Sequence, residues 1–246
     1  GQPPPEMRLG LERIRRGLAL CGHPERRLRV VHVAGTNGKG SVSRMIQSIL
    51  TAAGWRTGLF SSPEVTGLRD TITVDGEPIP REAFAALTER LRALEDDMAE
   101  PGRLTEFEGI TALALLYFAA RRTDVAVIEC GLGGRDDATN AIPAPLAAVL
   151  TPISLDHTAL LGGTTADIAR VKCGIIKPPC AVIASPEQDA DALGVIYETA
   201  AGLGLTVRVP NAGAARIAAE SLGQTIFDYA GLRLTLPLIG GFQVAN

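Results

Sequence analysis

The residues with the clearest capacity for chemistry lie in the stretch VVHVAGTNGKGSVSRM, residues 30–45. A β-branched run leads into a glycine-rich turn, and the turn leads into a helical pattern. Gly35, Gly38 and Gly40 allow backbone N–H groups to turn toward a bound anion. The N-terminus of the following helix adds the positive end of its dipole. The stretch therefore predicts a phosphate site at a strand-to-helix junction.

The spacing of this phosphate site is unusual. Lys39 supplies a point charge for terminal phosphates, and Ser41 or Thr36 supplies a hydroxyl near a metal ion. The common pattern has Gly where this chain has Val33, and Ser directly after the lysine, whereas here Gly40 intervenes. A tight turn that needs small residues would show the same glycines, but strand, loop, lysine and helix together favour phosphate binding. The predicted nucleotide-binding residues are Gly35, Thr36, Asn37, Gly38, Lys39, Gly40 and Ser41.

A second polar segment, IECGLGGRDDATN, covers residues 128–140. Glu129 ends an apolar run, and three glycines with Asp136, Asp137 and Asn140 follow it. A carboxylate at a strand tip beside a phosphate loop suits Mg²⁺, which prefers one or two carboxylates together with phosphate oxygens. A turn rich in glycine and aspartate is the alternative interpretation of the same letters.

Three further side chains have both an ordinary and a functional interpretation. His157, in TPISLDHTALLGGT, follows another predicted strand, and we expect it to assist the metal rather than serve only the structure. Lys172 lies late in a predicted helix, where a lysine usually just complements the helix dipole. Phe107, in TEFEG, reads from its residue type as a core residue.

Strand-like and helix-like patterns alternate along the chain, which predicts a mostly parallel sheet flanked by helices. In such sheets ligands bind beyond the carboxyl ends of the strands, and each polar motif follows a predicted strand. Asp75-Gly76 predicts a hairpin turn. The predicted strands are 29–35, 56–62, 124–130, 146–154 and 180–185, and β-rich sequence follows from about 205. The predicted helices are 6–20, 40–53, 81–99, 105–121, 164–173 and 188–202.

Composition sets limits on function. The chain has 246 residues, of which 46% are hydrophobic, and a net charge of −3, so it lacks the basic footprint of a nucleic-acid binder. No apolar run is long enough to cross a bilayer, and no membrane partner is expected. The cysteines show no Cys-x-x-Cys pair, which favours a reducing cytoplasm over a disulfide or zinc framework. They are Cys21, Cys130, Cys173 and Cys180.

The motifs taken together resemble one family. HVAGTNGKGSV, TGLFSSP, LTEFE, AVIECGLGGRDDATN, ISLDHTALLG and KCGIIKP occur in this order. They resemble folylpolyglutamate synthase/dihydrofolate synthase, a branch of the Mur ligase superfamily, over residues 6–246. The resemblance implies a P-loop-type Mur ligase central domain with a small β-rich segment near the C-terminus. It also implies ATP-dependent ligation of L-glutamate to a pteroate or folate carboxylate through an acyl phosphate.

The resemblance further implies roles for particular residues. Lys39, His157 and Lys172 would be catalytic, and Gln243 and Asn246 would lie near the nucleotide base. Phe107 and Asp137 would contact the pterin. The cofactors would be ATP and one or two Mg²⁺ ions, with Lys172 carbamylated so that it can bind a second ion. The implied metal ligands are Ser62, Glu129, His157 and Lys172.

The chain departs from the family pattern in two places. After SSP the chain has Glu64 and Val65 where the family has His-Leu, and residues 70–72 are Asp-Thr-Ile where the family has Glu-Arg-Ile. Near the C-terminus, Phe242 replaces a histidine of the family. The first change puts the identity of the pterin substrate in question. Residues 1–246 are expected to be one ATP-binding domain, with the family's C-terminal glutamate-ligase domain absent from the sequence, and the protein is expected to be a monomer.

Other functions compete with this one. A Mur-type ligase acting on another carboxylate shares the chemistry, although GKGS and TEFE favour the folate branch. A nucleotide-binding module without ligase activity is the alternative from a different class. A P-loop kinase or GTPase is disfavoured by the Lys-Gly-Ser spacing. The sequence leaves open whether dihydropteroate, tetrahydrofolate or both are acceptors.

Overall fold

The computed structural model describes residues 10–64, 67–95, 98, 102–238 and 240–245. The strands are β1 Val30–Ala34, β2 Thr57–Phe60, β3 Ile72–Val74, β4 Glu77–Pro78, β5 Val125–Glu129, β6 Ala147–Leu150, β7 Ala181–Ala184, β8 Val207–Arg208, β9 Arg216–Ser221, β10 Gln224–Tyr229 and β11 Leu232–Leu236. The helices are α1 Glu12–Leu20, α2 Lys39–Ala52, α3 Arg81–Glu95, α4 Glu106–Arg121, α5 Thr158–Leu161, α6 Thr165–Lys172, α7 Ala190–Gly202 and α8 Phe242–Ala245.

The main sheet has the strand order β4-β3-β2-β5-β1-β6-β7-β8. The six strands from β2 to β8 pair in parallel, and β3 and β4 add an antiparallel edge. The predicted fold class is therefore confirmed. Because β1 lies between β5 and β6, the loops after these three strands meet at one edge, and the loop after β2 borders the loop after β5.

The two faces of the sheet are covered by different helices. Side chains alternate between the faces along a strand. On β5, Ile128 packs in the cluster that includes α4 and α1, whereas Val127 packs with Val42 of α2. The helices α6 and α7 pack against β6 and β7 in a third cluster. The sheet is thus covered on both faces, and the carboxyl ends of its strands remain available for polar loops.

The β-rich segment predicted near the C-terminus is also confirmed. β9, β10 and β11 form a separate antiparallel sheet in the order β11-β10-β9. The hairpin predicted at Asp75-Gly76 joins β3 to β4, and both turn residues have positive φ, 54° and 86°. Positive φ at both central residues is what a tight two-residue hairpin requires.

Several predicted element ends were wrong. Helix α1 begins at Glu12, because Gly10 has a φ of 127° and its amide donates to the carbonyl of Asp136 instead of to a helix; residues 6–9 of the predicted helix lie outside the described residues. The strand predicted over 146–154 ends at Leu150, and the strand predicted over 56–62 ends at Phe60. Helix α3 is described as far as Glu95, and residue 98 is not helical; residues 96, 97 and 99 of the predicted helix lie outside the described residues. The polar residues after β2 and β6 therefore belong to loops that can reach a ligand.

Two residues of the TEFE motif, Thr105 and Glu108, cap the N-terminus of helix α4. The Thr105 hydroxyl accepts a hydrogen bond from the amide of Glu108, and the Glu108 carboxylate accepts one from the amide of Thr105, so α4 begins with a capping box. Arg13 Nε of α1 donates to Glu108 Oε2 at 3.0 Å. Thr105 thus caps α4 and Glu108 also ties it to α1, which leaves Glu106 and Phe107 as the residues of this motif whose side chains take no part in the cap.

Candidate active site

The phosphate loop is held in shape by close contacts with the loop after β6. Gly35 has a φ of 155°, and a Cβ there would lie 1.9 Å from Thr151 Oγ1, so only glycine fits. The amides of Thr36 and Asn37 donate to the carbonyl of Pro152 at 2.9 and 3.2 Å. The Thr36 hydroxyl donates to the carbonyl of Ser154 at 3.1 Å. The side chain of Thr36 is therefore occupied by the loop after β6.

The backbone N–H groups available for an anion are those of residues 38–41, whereas the glycine pattern had suggested a start at Gly35. Gly38, with a φ of 80°, is the N-cap of α2, which begins at Lys39. The first N–H groups of a helix have no partner within the helix. Among the residues described, the amides of Gly38, Lys39, Gly40 and Ser41 donate no hydrogen bond to another protein group. These four amides can face a phosphate together.

Two lysines converge on one carbonyl of the phosphate loop. Lys39 Nζ donates to the carbonyl oxygens of Gly35 and Thr36 at 3.1 and 3.2 Å, and Lys172 Nζ donates to that of Gly35 at 2.7 Å. Lys172 is 5% exposed. Burial, together with the charge of Lys39, lowers the pKa of Lys172 to about 8. Lys172 therefore differs from an ordinary helix-end lysine, because its neutral amine becomes accessible near pH 8 and not only above pH 10.

Glu129 ends β5 and lies against the start of α2. Its Oε2 accepts a hydrogen bond from Ser61 Oγ at 2.6 Å and another from the amide of Ser62 at 3.3 Å. Burial raises the pKa of Glu129, while the Ser61 hydroxyl and the charge of Lys39 oppose that shift. The predicted ligand Ser62 thus contacts the carboxylate through its backbone, and the side-chain contact comes from Ser61, which the sequence analysis missed.

The surroundings of Glu129 suit a small cation. Within the described residues, Glu129 Oε1 accepts no hydrogen bond, and a Cβ on Gly40 would lie 3.6 Å from Oε2 and 3.8 Å from Oε1. The missing side chain at Gly40 leaves room directly between the carboxylate and the phosphate-binding amides. One buried carboxylate beside phosphates is a typical Mg²⁺ environment. In the ranges described, no three His, Cys, Asp or Glu side chains form a complete metal cluster, so phosphate oxygens would have to supply ligands.

Gly40→Ala should separate folding from function. In the first turn of α2 alanine costs less conformational entropy than glycine, so we expect unfolding stability to be unchanged or up to about 1 kcal/mol higher. The added Cβ would occupy the space beside Glu129, and misplacing the phosphates there should lower ATP-dependent activity by roughly 10- to 100-fold. Thermal unfolding and ATP turnover, measured on the same preparation, test the expected stability and the expected loss of activity. Equal activity in the two proteins would show that this space is not used.

His157 lies on the loop after β6, as predicted. Its side chain is 51% exposed, and its Nε2 lies 3.7 Å from Asp156 Oδ2. His157 has a φ of 47° and is the N-cap of the short helix α5. In the described ranges, no hydrogen bond or ion pair joins it to Glu129, Ser62 or Lys172. Its metal role stays a prediction.

Asp137 is engaged by its own loop. It is 3% exposed, and its carboxylate accepts hydrogen bonds from the amides of Leu132 and Thr139 at 2.7 and 2.9 Å and from the Thr139 hydroxyl. Burial raises the pKa of Asp137 in spite of these donors. Asp137 therefore fixes the glycine loop that follows Glu129, and its predicted contact with a pterin stays a prediction.

Phe107 packs against the same glycine loop. Its ring centroid lies 6.0 Å from that of Phe60, and a Cβ on Gly131 would lie 2.4 Å from its Cζ. The core interpretation of Phe107 is therefore correct, and a pterin contact would have to use the part of the half-buried ring that remains exposed. Gln243 lies in α8 near the C-terminus, and Asn246 lies outside the described residues.

A fully buried histidine supports this loop and was also missed. His32 Nε2 lies 2.9 Å from Thr139 Oγ1 and 3.1 Å from Cys130 Sγ. Since the Thr139 hydroxyl donates to Asp137, His32 Nε2 must carry the proton donated to Thr139. Burial lowers the pKa of His32 to about 3, so the ring stays neutral. A histidine inside a β-branched strand gives no sign of this role until the strands are paired.

Comparison with known proteins now identifies the fold family. The model of the Mur ligase middle domain matches residues 33–246. The chain belongs to the Mur ligase family. The dihydrofolate synthase/folylpolyglutamate synthase of Bacillus subtilis is 43% identical to this chain, and the aligned residues cover 78% of this chain and 45% of that protein. The dihydrofolate synthetase of Saccharomyces cerevisiae is 38% identical to this chain, and the aligned residues cover 97% of this chain and 55% of that protein.

Solved structures agree with this assignment. A folylpolyglutamate synthase complex with AMPPCP and folate matches with a TM-score of 0.85 at 36% identity, covering 95% of this chain and 60% of that chain. The branch of the family predicted from the motifs is confirmed. The chain spans 30% to 55% of the length of the first curated relatives it matches. No helix in the described ranges has both the length and the apolar character needed to cross a membrane.

Proposed function

We propose that this Mur ligase domain supports ATP-dependent ligation of L-glutamate to the carboxylate of dihydropteroate, tetrahydrofolate or both. The observation that carries the proposal is the meeting of Lys39, Gly40 and Glu129 at one edge of the parallel sheet. There, phosphate-binding amides, a lysine and a buried carboxylate face the same space. The relatives named dihydrofolate synthase and folylpolyglutamate synthase, and the solved complex with AMPPCP and folate, indicate which chemistry that space serves.

The phosphate loop would orient the terminal phosphates of ATP. The amides of residues 38–41 donate to the phosphate oxygens, and Lys39 leaves the carbonyls of Gly35 and Thr36 to bind the transferred group. Its charge opposes the negative charge that develops as the acceptor carboxylate attacks the γ-phosphorus and ADP leaves. We place Gln243 and Asn246 near the nucleotide base.

The predicted cation would be held chiefly by Glu129. Ser61 and the amide of Ser62 fix Oε2, which leaves Oε1 free to bind the cation. Ser62 and His157 are proposed as further ligands. When bound there, Mg²⁺ would supply Lewis-acid neutralisation of phosphate charge. Glu129 contributes a fixed negative charge, and Lys39 a mobile positive one.

The second half of the reaction forms the amide. The amine nitrogen of glutamate attacks the acyl carbon, phosphate leaves, and the nitrogen loses its proton. Water competes for the acyl phosphate, so the site must be covered during this step. We propose that a further domain of the complete protein covers it and that the protein acts as a monomer. We place the reaction in the cytoplasm, where the four unpaired cysteines of the chain would be stable.

Lys172 is proposed to become carbamylated, since a buried amine with a pKa near 8 can react with CO₂ in its neutral form. At a fixed CO₂ pressure, we expect the carbamate signal in a ¹³CO₂ NMR experiment to grow as the pH rises through about 8, because only the neutral amine reacts.

Lys177 provides a matched control for this experiment. It is half-buried, and desolvation lowers its pKa to about 8, but its Nζ donates to the carbonyls of Asn140 and Ile142 instead of to the phosphate loop. Lys172→Arg should remove the carbamate signal and Lys177→Arg should retain it. The opposite pattern would rule out Lys172 as the modified residue.

The proposed function is tested by measuring ADP release with Mg²⁺ and L-glutamate, comparing dihydropteroate with tetrahydrofolate and identifying products by mass. The polypeptide encoded by the complete gene is assayed beside residues 1–246. Product heavier by one glutamyl residue establishes the ligase and names its acceptor. A phosphorylated acceptor would indicate a kinase, and nucleotide binding without a product would indicate a binding module. We expect residues 1–246 alone to bind nucleotide weakly and turn over poorly.

A further inference from the structure

Gln188 holds the loop after β6 from outside that loop. It is half-buried in the segment between β7 and α7, and its amide group forms three hydrogen bonds with the backbone of residues 150–153. Its Nε2 donates to the carbonyls of Leu150 and Thr151 at 3.1 and 2.8 Å. Its Oε1 accepts from the amide of Ile153 at 3.0 Å. Both the donor and the acceptor of the side chain are therefore used by one short backbone segment.

The contact with Ile153 bears directly on the phosphate loop, because the amide of Ile153 belongs to the same peptide unit as the carbonyl of Pro152. A peptide unit is planar, and this one is trans, so its N–H and its C=O point in opposite directions. The N–H donates to Gln188, and the C=O accepts from the amides of Thr36 and Asn37 at 2.9 and 3.2 Å. Gln188 therefore fixes the direction of the carbonyl that binds the phosphate loop.

Gln188 also fixes the residue that packs against the first glycine of the phosphate loop. Thr151 accepts from Gln188 through its carbonyl, and a Cβ on Gly35 would lie 1.9 Å from its hydroxyl and 2.9 Å from that carbonyl. The amide of Thr151 donates to the carbonyl of Ala34, the last residue of β1, at 2.8 Å. The contacts of Gln188 thus lead to the part of the phosphate loop that directly precedes the amides of residues 38–41.

We propose that Gln188 is a positioning residue for nucleotide binding, because it arranges the phosphate loop before ATP arrives. This inference rests on the proposed function and deepens it by adding a residue from outside the phosphate loop. Without the amide group of Gln188, the peptide unit of Pro152 and Ile153 can turn, and the loop occupies its phosphate-binding arrangement for only part of the time. The apparent affinity for ATP falls by that fraction, whereas bound ATP restores the arrangement.

The test removes the amide group of Gln188 while nearly keeping the length of the side chain. In the complete protein, Gln188→Met should raise the Kd of Mg²⁺-AMPPCP, measured by calorimetry, by roughly 10-fold, because three hydrogen bonds that favour the binding arrangement are lost. The KM for ATP should rise in parallel, and kcat at saturating ATP should stay within about threefold of the wild-type value. Gln188→Ala, which cannot crowd the loop, should show the same pattern.

Gln47 provides a matched control. It is a buried glutamine of α2, and its Nε2 donates to Thr73 Oγ1 at 2.8 Å and to the carbonyl of Thr57 at 3.4 Å. Gln47→Met should lower the thermal unfolding temperature, because it removes both hydrogen bonds, but it should leave the Kd of Mg²⁺-AMPPCP unchanged. Equal increases in Kd for Gln47→Met and Gln188→Met would mean that loss of stability alone weakens nucleotide binding, and would overturn the role of Gln188.

A purely structural role for Gln188 predicts a different result. Loss of folded protein alone lowers kcat and leaves the KM for ATP unchanged, so that pattern would overturn the inference, as would a wild-type Kd in Gln188→Met. Binding of AMPPCP needs neither acceptor nor glutamate. A wild-type protein that binds AMPPCP but forms no glutamyl product would therefore refute the proposed ligation while the binding data still decide the role of Gln188. A wild-type protein that binds no Mg²⁺-AMPPCP would refute both.

Discussion

Lys39→Met is expected to lower kcat for ATP-dependent ligation by roughly 10²- to 10³-fold, the loss typical of removing one preorganised charge-stabilising donor. Methionine keeps the apolar stem of the side chain and nearly its length but removes its charge. In the structure Lys39 Nζ donates to the carbonyls of Gly35 and Thr36, so the substitution removes two hydrogen bonds of about 1 kcal/mol each. The variant should therefore fold, and turnover should suffer far more than stability.

The readout for Lys39 is kcat from ADP release together with thermal unfolding. The change also removes a positive charge that holds down the pKa of Lys172, so the pH at which Lys172 takes up CO₂ should rise. A kcat within a few-fold of wild type would mean that Lys39 does not approach the transferred phosphate. A collapse of the unfolding transition would instead assign the lysine to holding the loop.

Glu129→Gln should lower Mg²⁺-dependent activity by at least about 100-fold, since it removes the one buried carboxylate available to the predicted cation. In the absence of Mg²⁺ and nucleotide, the same substitution should make the folded protein more stable near neutral pH. The folded state raises the pKa of Glu129 above its ordinary value of 4.5, because burial disfavours the charged form. Below pH 4.5 the carboxyl is neutral in both states, and the two proteins should be equally stable.

As the pH rises above 4.5, the unfolded chain loses this proton first, so the wild type loses stability relative to the Gln variant until the folded carboxyl also ionises. The amide preserves the shape of the side chain and can still accept from Ser61. Denaturant unfolding from pH 4 to 8, with and without Mg²⁺, measures this difference in stability. Without Mg²⁺ the Gln variant should be the more stable protein above pH 4.5, and adding Mg²⁺ should not stabilise it further. A wild type that is the more stable at pH 7 without ions would contradict this account.

The general position of the site was predictable because strand ends and glycine turns are local features. The phosphate loop, the parallel sheet and Glu129 at the tip of β5 all follow from residue types and their order. The contacts among them do not. Ser61 and Ser62 are adjacent and chemically alike, and the point at which β2 ends decides which hydroxyl faces Glu129. The predicted strand ran through both residues and therefore gave no reason to choose Ser61.

Residues that act through tertiary contacts could not be predicted either, because residue types and their order do not reveal which distant segments meet. His32 supports Asp137 through Thr139, more than a hundred positions away, and Pro152 occupies two amides of the phosphate loop from a segment predicted as strand. The perturbed pKa of Lys172 arises from burial beneath Gly35, whereas its place at a helix end suggested an ordinary surface lysine.

The most direct measurement follows an oxygen atom. The acceptor is prepared with ¹⁸O in its reacting carboxylate and incubated with ATP, Mg²⁺, L-glutamate and the complete protein. If the carboxylate attacks the γ-phosphorus and glutamate then displaces phosphate, each turnover moves one ¹⁸O atom into inorganic phosphate and adds one glutamyl residue to the acceptor. Phosphate without ¹⁸O, released while the acceptor keeps its label and gains no glutamate, would contradict ligation at this site.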